Sequence, residues 1–254
     1  MIHCTFKRYM MLASVAAILV QPLCVRAADP VKISGSTSLE KLIKPKAADI
    51  QAKSGMAFAT VANGSGRGVD DLVSGRSDIA MIGGPLAVIA ESLNAKKPGS
   101  VKAEELTATQ VGSEGIAFIV NPANKVETLT SDQLRDIFSG KTTNWKDVGG
   151  ADGPIMVVAP PTSDGIRATL SGDLMNGAAF AKETRVVNTG PDVNKIVGQV
   201  PQAISFLSTA NKTDAVKVLK ADKEFAAKLC LVTKGAPTDA QKTLIEAIQA
   251  AISK

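Results

Sequence analysis

The sequence predicts an α/β protein of two lobes, each built on a mainly parallel sheet flanked by helices. Two observations carry this. A unit of short strand, polar turn and helix occurs twice before residue 84, ending each time in another strand, which is the order of a parallel sheet with crossover helices. Later strands such as 115–120 are apolar without alternation, as strands covered on both faces are.

Taken in order, Val31-Lys32-Ile33 is a strand, and Ser34-Gly35-Ser36-Thr37-Ser38 turns into one helix carrying Leu39, Leu42, Ile43, Ala47 and Ile50 on a face, closed by Ser54-Gly55. Residues 57–61 form the next strand. Asn63-Gly64-Ser65-Gly66-Arg67-Gly68 then leads into a helix bearing Val69, Leu72 and Val73, closed by Gly75. Residues 79–82 form a strand ending at Gly83-Gly84. The apolar strand 115–120 stops at Asn121-Pro122, and Thr130 or Ser131 caps a helix with Leu134, Ile137 and Phe138 inward and Gly140 as its stop. Residues 155–158 are a strand, 160–165 a loop, 166 to about 174 a helix and 203–207 a strand; 238–253 is an amphipathic helix.

At the N-terminus, Lys7 and Arg8, an apolar run over 10–20 and small residues at Ala27 and Ala28 follow the order of a secretory signal peptide, expected over 1–27. Leu23 stands where a lipobox carries Gly, Ala or Ser, which argues against a lipid anchor at Cys24. Removing 1–27 takes away Lys7, Arg8 and Arg26 and no acid, so the formal charge falls from +5 to +2. Basicity is thus mostly targeting, and with aromatic residues at 4% nothing marks a nucleic-acid face. His3, the only histidine, leaves with the signal, excluding His-dependent nucleophilic systems and His-ligated metals; no cofactor or metal is expected. Cys230 remains alone as a small buried side chain.

Three turns, at 34–38, 64–68 and 162–167, share one design, in which a strand ends, polar or Gly residues follow and a helix begins. Helix N-termini offer unpaired N–H groups and partial positive charge, and Ser or Thr hydroxyls add donors, so three such turns on one cleft would bind an oxyanion; each alone is equally an ordinary cap. An alternative class is a serine acyl-enzyme, since Ser38-Leu39-Glu40-Lys41 matches S-x-x-K, although no S-D-N triplet or K-T-G strand accompanies it.

The stretch 129–145, LTSDQLRDIFSGKTTNW, closely resembles the second-lobe signature of phosphate-type periplasmic solute-binding proteins, the receptors of phosphate ABC transporters. Ile33 to Ser38, and Asn63 to Val69 running on to 78–81, resemble the same family in the same order. The resemblance implies a class II binding-protein fold with a cleft between the lobes and two crossovers, near 112–116 and 206–211. Lobe one would be 28–113 plus 209–254, and lobe two 114–208. It implies a secreted, periplasmic, monomeric, non-enzymatic receptor that captures a small oxyanion, phosphate first, and delivers it to a membrane ABC permease; a ligand-sensing or interaction module of the envelope is the other role open to the scaffold.

Carried over, the first-lobe contacts are Ser36, Thr37 and Ser38, backbone N–H groups of Ser38 and Leu39, and Ser65 with Gly66; the second-lobe contacts are Ser163, Asp164, Gly165 and Arg167. The sequence departs from the family at Pro160, where an Arg is expected, at Asp164 and Ile166, where Ser and Thr are expected, and at Gly83-Gly84, where relatives carry side chains. An ionised carboxylate at 164 would repel an anion, unless it accepts the proton of a monoprotonated ligand or caps the helix while Ser163 supplies the hydroxyl.

Overall fold

The computed structural model describes residues 29–188 and 190–253. The expected signal peptide, with His3, Cys4 and Cys24, lies outside the described residues.

Strand β1 (Val31–Gly35) runs into helix α1 (Thr37–Ile43), a 3-10 turn (Lys44–Lys46) and helix α2 (Ala47–Ser54). The single helix expected here is broken because Pro45 sits in the middle turn and has no N–H to donate. Gly55 closes α2 in the left-handed conformation, φ 67°. Strand β2 (Phe58–Ala62), helix α3 (Ser65–Val73), strand β3 (Ile79–Gly83) and helix α4 (Leu86–Lys96) complete the first run. Then come the 15-residue strand β4 (Leu106–Val120), β5 (Thr128–Leu129), α5 (Ser131–Ser139), β6 (Met156–Ala159), α6 (Gly165–Asp173), β7 (Arg185–Val186), α7 (Gly190–Gln199), β8 (Ala203–Ser208), β9 (Lys217–Ala221), β10 (Phe225–Lys234) and α8 (Asp239–Ile252).

The sheet order is β2-β1-β3-β10-β4-β8-β6-β7, with β9 beside β4 and β5. Strands β1, β2 and β3 are mutually parallel, and so are β6, β7 and β8. The two parallel groups are joined by the long antiparallel pair β4 and β10. At Ile116, β4 changes partner from β10 to β8, so it is one crossover between lobes. The other crossover is β10 itself, whose register shifts between Leu229 and Cys230. The segment 209–224, expected in lobe one, therefore sits with lobe two. Its strand β9 pairs with the far half of β4, and Leu219 and Phe225 fill the second core with Phe118, Phe138 and Phe206.

Strands covered on both faces feed two cores at once. On β3, Ile79 and Met81 join one cluster with Ile33, Leu39 and α8, while Ala80 and Ile82 join another with Val69, Leu72 and Ile89. Cys230 is buried in the second of these. In lobe two the helix α5 signature behaves as read: Thr130 caps with a reciprocal Gln133 capping box, and Gly140, φ 81°, ends the helix.

The lobes touch. A Cβ placed on Gly165 would stand 2.0 Å from the Gly83 carbonyl oxygen, and one on Gly84 (φ 153°) 2.2 Å from that of Gly165. The missing side chains at 83 and 84 thus have a physical cause, since two backbones meet there and leave no space for a β-carbon. Ser92 Oγ also donates to Thr162 Oγ1 across the gap at 2.6 Å.

Candidate functional site

Between the lobes lies an inner chamber of about 190 Å³ reached by the N-terminal ends of α1, α3 and α6. It shares Ser65, Arg67 and Asn188 of its lining with an outer chamber of about 230 Å³. The three turns singled out by sequence do meet on one cleft.

Ser36, Thr37, Ser38 and Ser65 line the inner chamber, with Ser36, Ser38 and Ser65 buried. Each of these three serine oxygens already accepts an N–H: Ser36 Oγ from Leu39 N at 3.3 Å, Ser65 Oγ from Gly83 N at 3.2 Å, Ser38 Oγ from Asn211 Nδ2 at 2.9 Å. A hydroxyl that accepts one N–H still has its own proton to donate, and at Ser38 the nearby Glu114 carboxyl competes for that proton. The arrangement presents donors and suits an anion.

Leu39 does not serve as expected, because its N–H is spent on the Ser36 cap and its side chain is core. Gly66 and Ser163 line the outer chamber, where a Cβ on Gly66 would fall 2.5 Å from Ser163 Oγ; they form a seam between lobes. Gly165 lines the inner chamber and makes the backbone contact with Gly83. Asp164 lines it too, but as the cap of α6: Oδ1 accepts from Ile166 N at 2.9 Å and Arg167 N at 3.1 Å. Burial pushes its carboxyl above the usual range despite those two donors.

Arg167 does not line the inner chamber. It is buried, its Nη1 donates to the Pro160 carbonyl at 2.7 Å, and its guanidinium lies 4.5 Å from the centroid of Phe180. Removal of the neighbouring water pulls its pKa down, while Asp164 supports the charge. Ser38 is bonded to Asn211 rather than to an activating amine, and Lys41 is exposed; this removes the basis of the acyl-enzyme reading.

Sequence reasoning missed Glu114, Ser208 and Asn211, all lining the inner chamber. Glu114 is 7% exposed on the crossover strand β4. Its Oε2 accepts a very short bond from the Ser208 hydroxyl, while Oε1 has no partner. A Cβ on Gly83 would be 3.0 Å from that free oxygen. Burial raises the Glu114 carboxyl, the Ser208 and Ser38 hydroxyls oppose this, and Asp164 adds repulsion. Asn211 is held in turn, its backbone carbonyl accepting from Asn194 Nδ2 at 2.9 Å.

A double-mutant cycle tests the hydroxyl geometry. Ser38→Ala is expected to weaken binding of inorganic phosphate about tenfold or more, the loss of one hydrogen bond to a charged ligand. Asn211→Ala, which frees the Ser38 proton to rotate, should weaken it several-fold in the parent and leave it unchanged in Ser38→Ala. Additive losses by calorimetry would contradict the orientation described.

Residues 25–253 match the family model described as the PBP superfamily domain. The phosphate-binding protein PstS of Bacillus subtilis (strain 168) is 34% identical over 198 residues, covering 74% of this chain and 60% of that protein. The chain thus spans well under two thirds of that relative's length. Among solved structures, a putative phosphate ABC transporter substrate-binding protein from Clostridium perfringens, with bound phosphate, matches with a TM-score of 0.73. An ABC-type phosphate transport receptor from Vibrio cholerae matches with 0.63. Each is 26% identical, and each alignment covers 87% of this chain and 93% of that structure.

Proposed function

The chain belongs to the PBP superfamily, and from that premise we propose that it is a non-enzymatic receptor that closes on inorganic phosphate and presents it to a membrane ABC permease. A secreted, periplasmic, monomeric protein cleaved after residue 27 is part of the same reading. The names of its relatives support it, and so does the chemistry of the cleft. The observation that carries it is the meeting on one chamber of three buried serine hydroxyls from the α1 and α3 turns, each accepting an N–H and each with a proton left to donate.

The site residues proposed are Ser36, Thr37, Ser38 and Ser65 from lobe one, with Asp164 and Gly165 from the α6 turn and Glu114 and Asn211 near the crossovers. Near neutral pH phosphate is a mixture of dihydrogen phosphate and hydrogen phosphate, and both forms carry a proton that sulfate lacks. The free Glu114 oxygen can accept that proton, or hold one for a phosphate oxygen, whereas Asp164 Oδ1 is committed to its helix. A carboxylate that needs a proton between itself and the ligand disfavours a fully ionised oxyanion such as sulfate.

Calorimetric titration of protein unfolded, dialysed and refolded to remove carried ligand tests the proposal. Saturable uptake of one phosphate at pH 7, with sulfate at least about a hundredfold weaker, is expected, a difference of roughly 2.7 kcal/mol. No uptake of phosphate between pH 6 and pH 8.5 would overturn it.

A further inference from the structure

We infer that Arg67, from lobe one, supplies the cation that holds the bound oxyanion in this cleft. This rests on the anion-receptor reading above. Of the described residues lining the inner chamber, Arg67 is the one basic side chain; the acids there are Glu114 and Asp164. Arg167 is committed to the Pro160 carbonyl and the Phe180 ring. The Arg67 side chain makes no ion pair or hydrogen bond with a described residue, and the residue is exposed. It lines both chambers, which places it at their junction.

The backbone explains why this residue is the one presented. Arg67 stands between two glycines that are both pinned. A Cβ on Gly66 would fall 2.5 Å from Ser163 of the second lobe, and one on Gly68 would fall 2.5 Å from the Ser34 carbonyl on β1. Helix α3 is thereby pressed onto the first sheet and, through Gly66, onto the second lobe. The side chain between them is left at the mouth where the chambers join. With two acids in the lining, Arg67 is the one side chain there that can offset an anion's charge. A guanidinium offers five donors and stays charged at every working pH. Its flexibility at the mouth lets it fold over a ligand already held by the serine hydroxyls.

The test measures affinity for phosphate, arsenate, sulfate and methylphosphonate by calorimetry, for the parent, Arg67→Gln and Lys53→Gln. Lys53 is exposed on α2 and removes the same charge from outside the cleft. Arg67→Gln should lose about tenfold to a hundredfold in affinity, as expected for a charge-assisted bond. Its affinity should also fall less steeply than the parent's between about 10 mM and about 150 mM salt. Lys53→Gln should stay within about twofold of the parent. Arg67→Gln binding as tightly as the parent at both salt levels overturns the inference, as does an equal loss in Lys53→Gln. A parent that prefers another anion of the panel overturns only the phosphate reading, and Arg67 is then judged on that anion by the same criteria. A parent that binds none of the four overturns both.

Discussion

Gly165→Ala is expected to lower phosphate affinity by about a hundredfold while leaving the fold intact. The added methyl would stand 2.0 Å from the Gly83 carbonyl oxygen, 2.4 Å from its carbon and 2.9 Å from Ser65 Oγ. The first two are backbone atoms at the end of β3, which is buried between β1 and β10, so neither can rotate aside. The strain is relieved by parting the lobes, which costs neither core. Opening draws Asp164 and Gly165 away from the serine hydroxyls of lobe one, and affinity falls in proportion to the population of the closed form. A closed state reduced to about one in a hundred gives the stated loss. Small-angle scattering with saturating phosphate should show the variant more extended than the parent, with a melting temperature close to it. A variant that binds like the parent would mean that the contact between Gly83 and Gly165 is not required for binding.

How much of this was legible beforehand depended on whether the signal was local. The cap at Thr130, one of two neighbours the sequence offers, and the stops at Gly55, Gly75 and Gly140 are dictated within a few residues. The broken helix at Pro45 was local too, but an uninterrupted apolar stripe from Leu39 to Ile50 concealed it. The path of 209–234 was not legible. Strand β9 is short and lies between polar stretches, and its place in lobe two is decided by pairing with β4, about a hundred residues earlier.

Within the site, the hydroxyl turns were readable because each is one continuous segment. Glu114 was not, since a lone acid before a glycine at the start of an apolar strand reads as a solvated edge. Its burial is created by Ser208 and Gly83, far away in sequence. The same holds for Asn211, whose partner Ser38 lies 173 residues earlier. Gly83-Gly84 was noticed as a departure from the family and is explained only by the opposite backbone.

Glu114→Gln is expected to move stability and ligand choice in opposite directions. In the parent, burial raises the Glu114 carboxyl, so the folded state holds its proton more tightly than the unfolded chain does. Its stabilising contribution is full below the ordinary carboxylate value of 4.5 and is lost as pH rises through the raised value. The ligand-free variant should therefore be the more stable protein at pH 8, by about 1 to 3 kcal/mol, the cost of a buried acceptor left without a partner. The gap should close toward pH 4.5. Asp164 is shifted in the same direction, and because it repels Glu114 in the parent, the loss of that repulsion in the variant adds to the gap at pH 8. Binding responds differently: hydrogen phosphate still has a proton to place on Glu114 Oε1, but as this dianion displaces dihydrogen phosphate the Glu114 carboxylate repels the added charge, so the parent's phosphate affinity should fall from pH 6 to pH 8.5. Glutamine brings its own N–H to that position and has no charge to neutralise, so the variant's affinity should be nearly level over that range. Its preference for phosphate over sulfate should shrink about tenfold or more. Thermal melts at the two pH values and titrations with both anions measure every part of this. A variant that keeps the parent's pH slope and its rejection of sulfate would show that Glu114 meets no ligand oxygen, and that the selectivity resides in the hydroxyl turns alone.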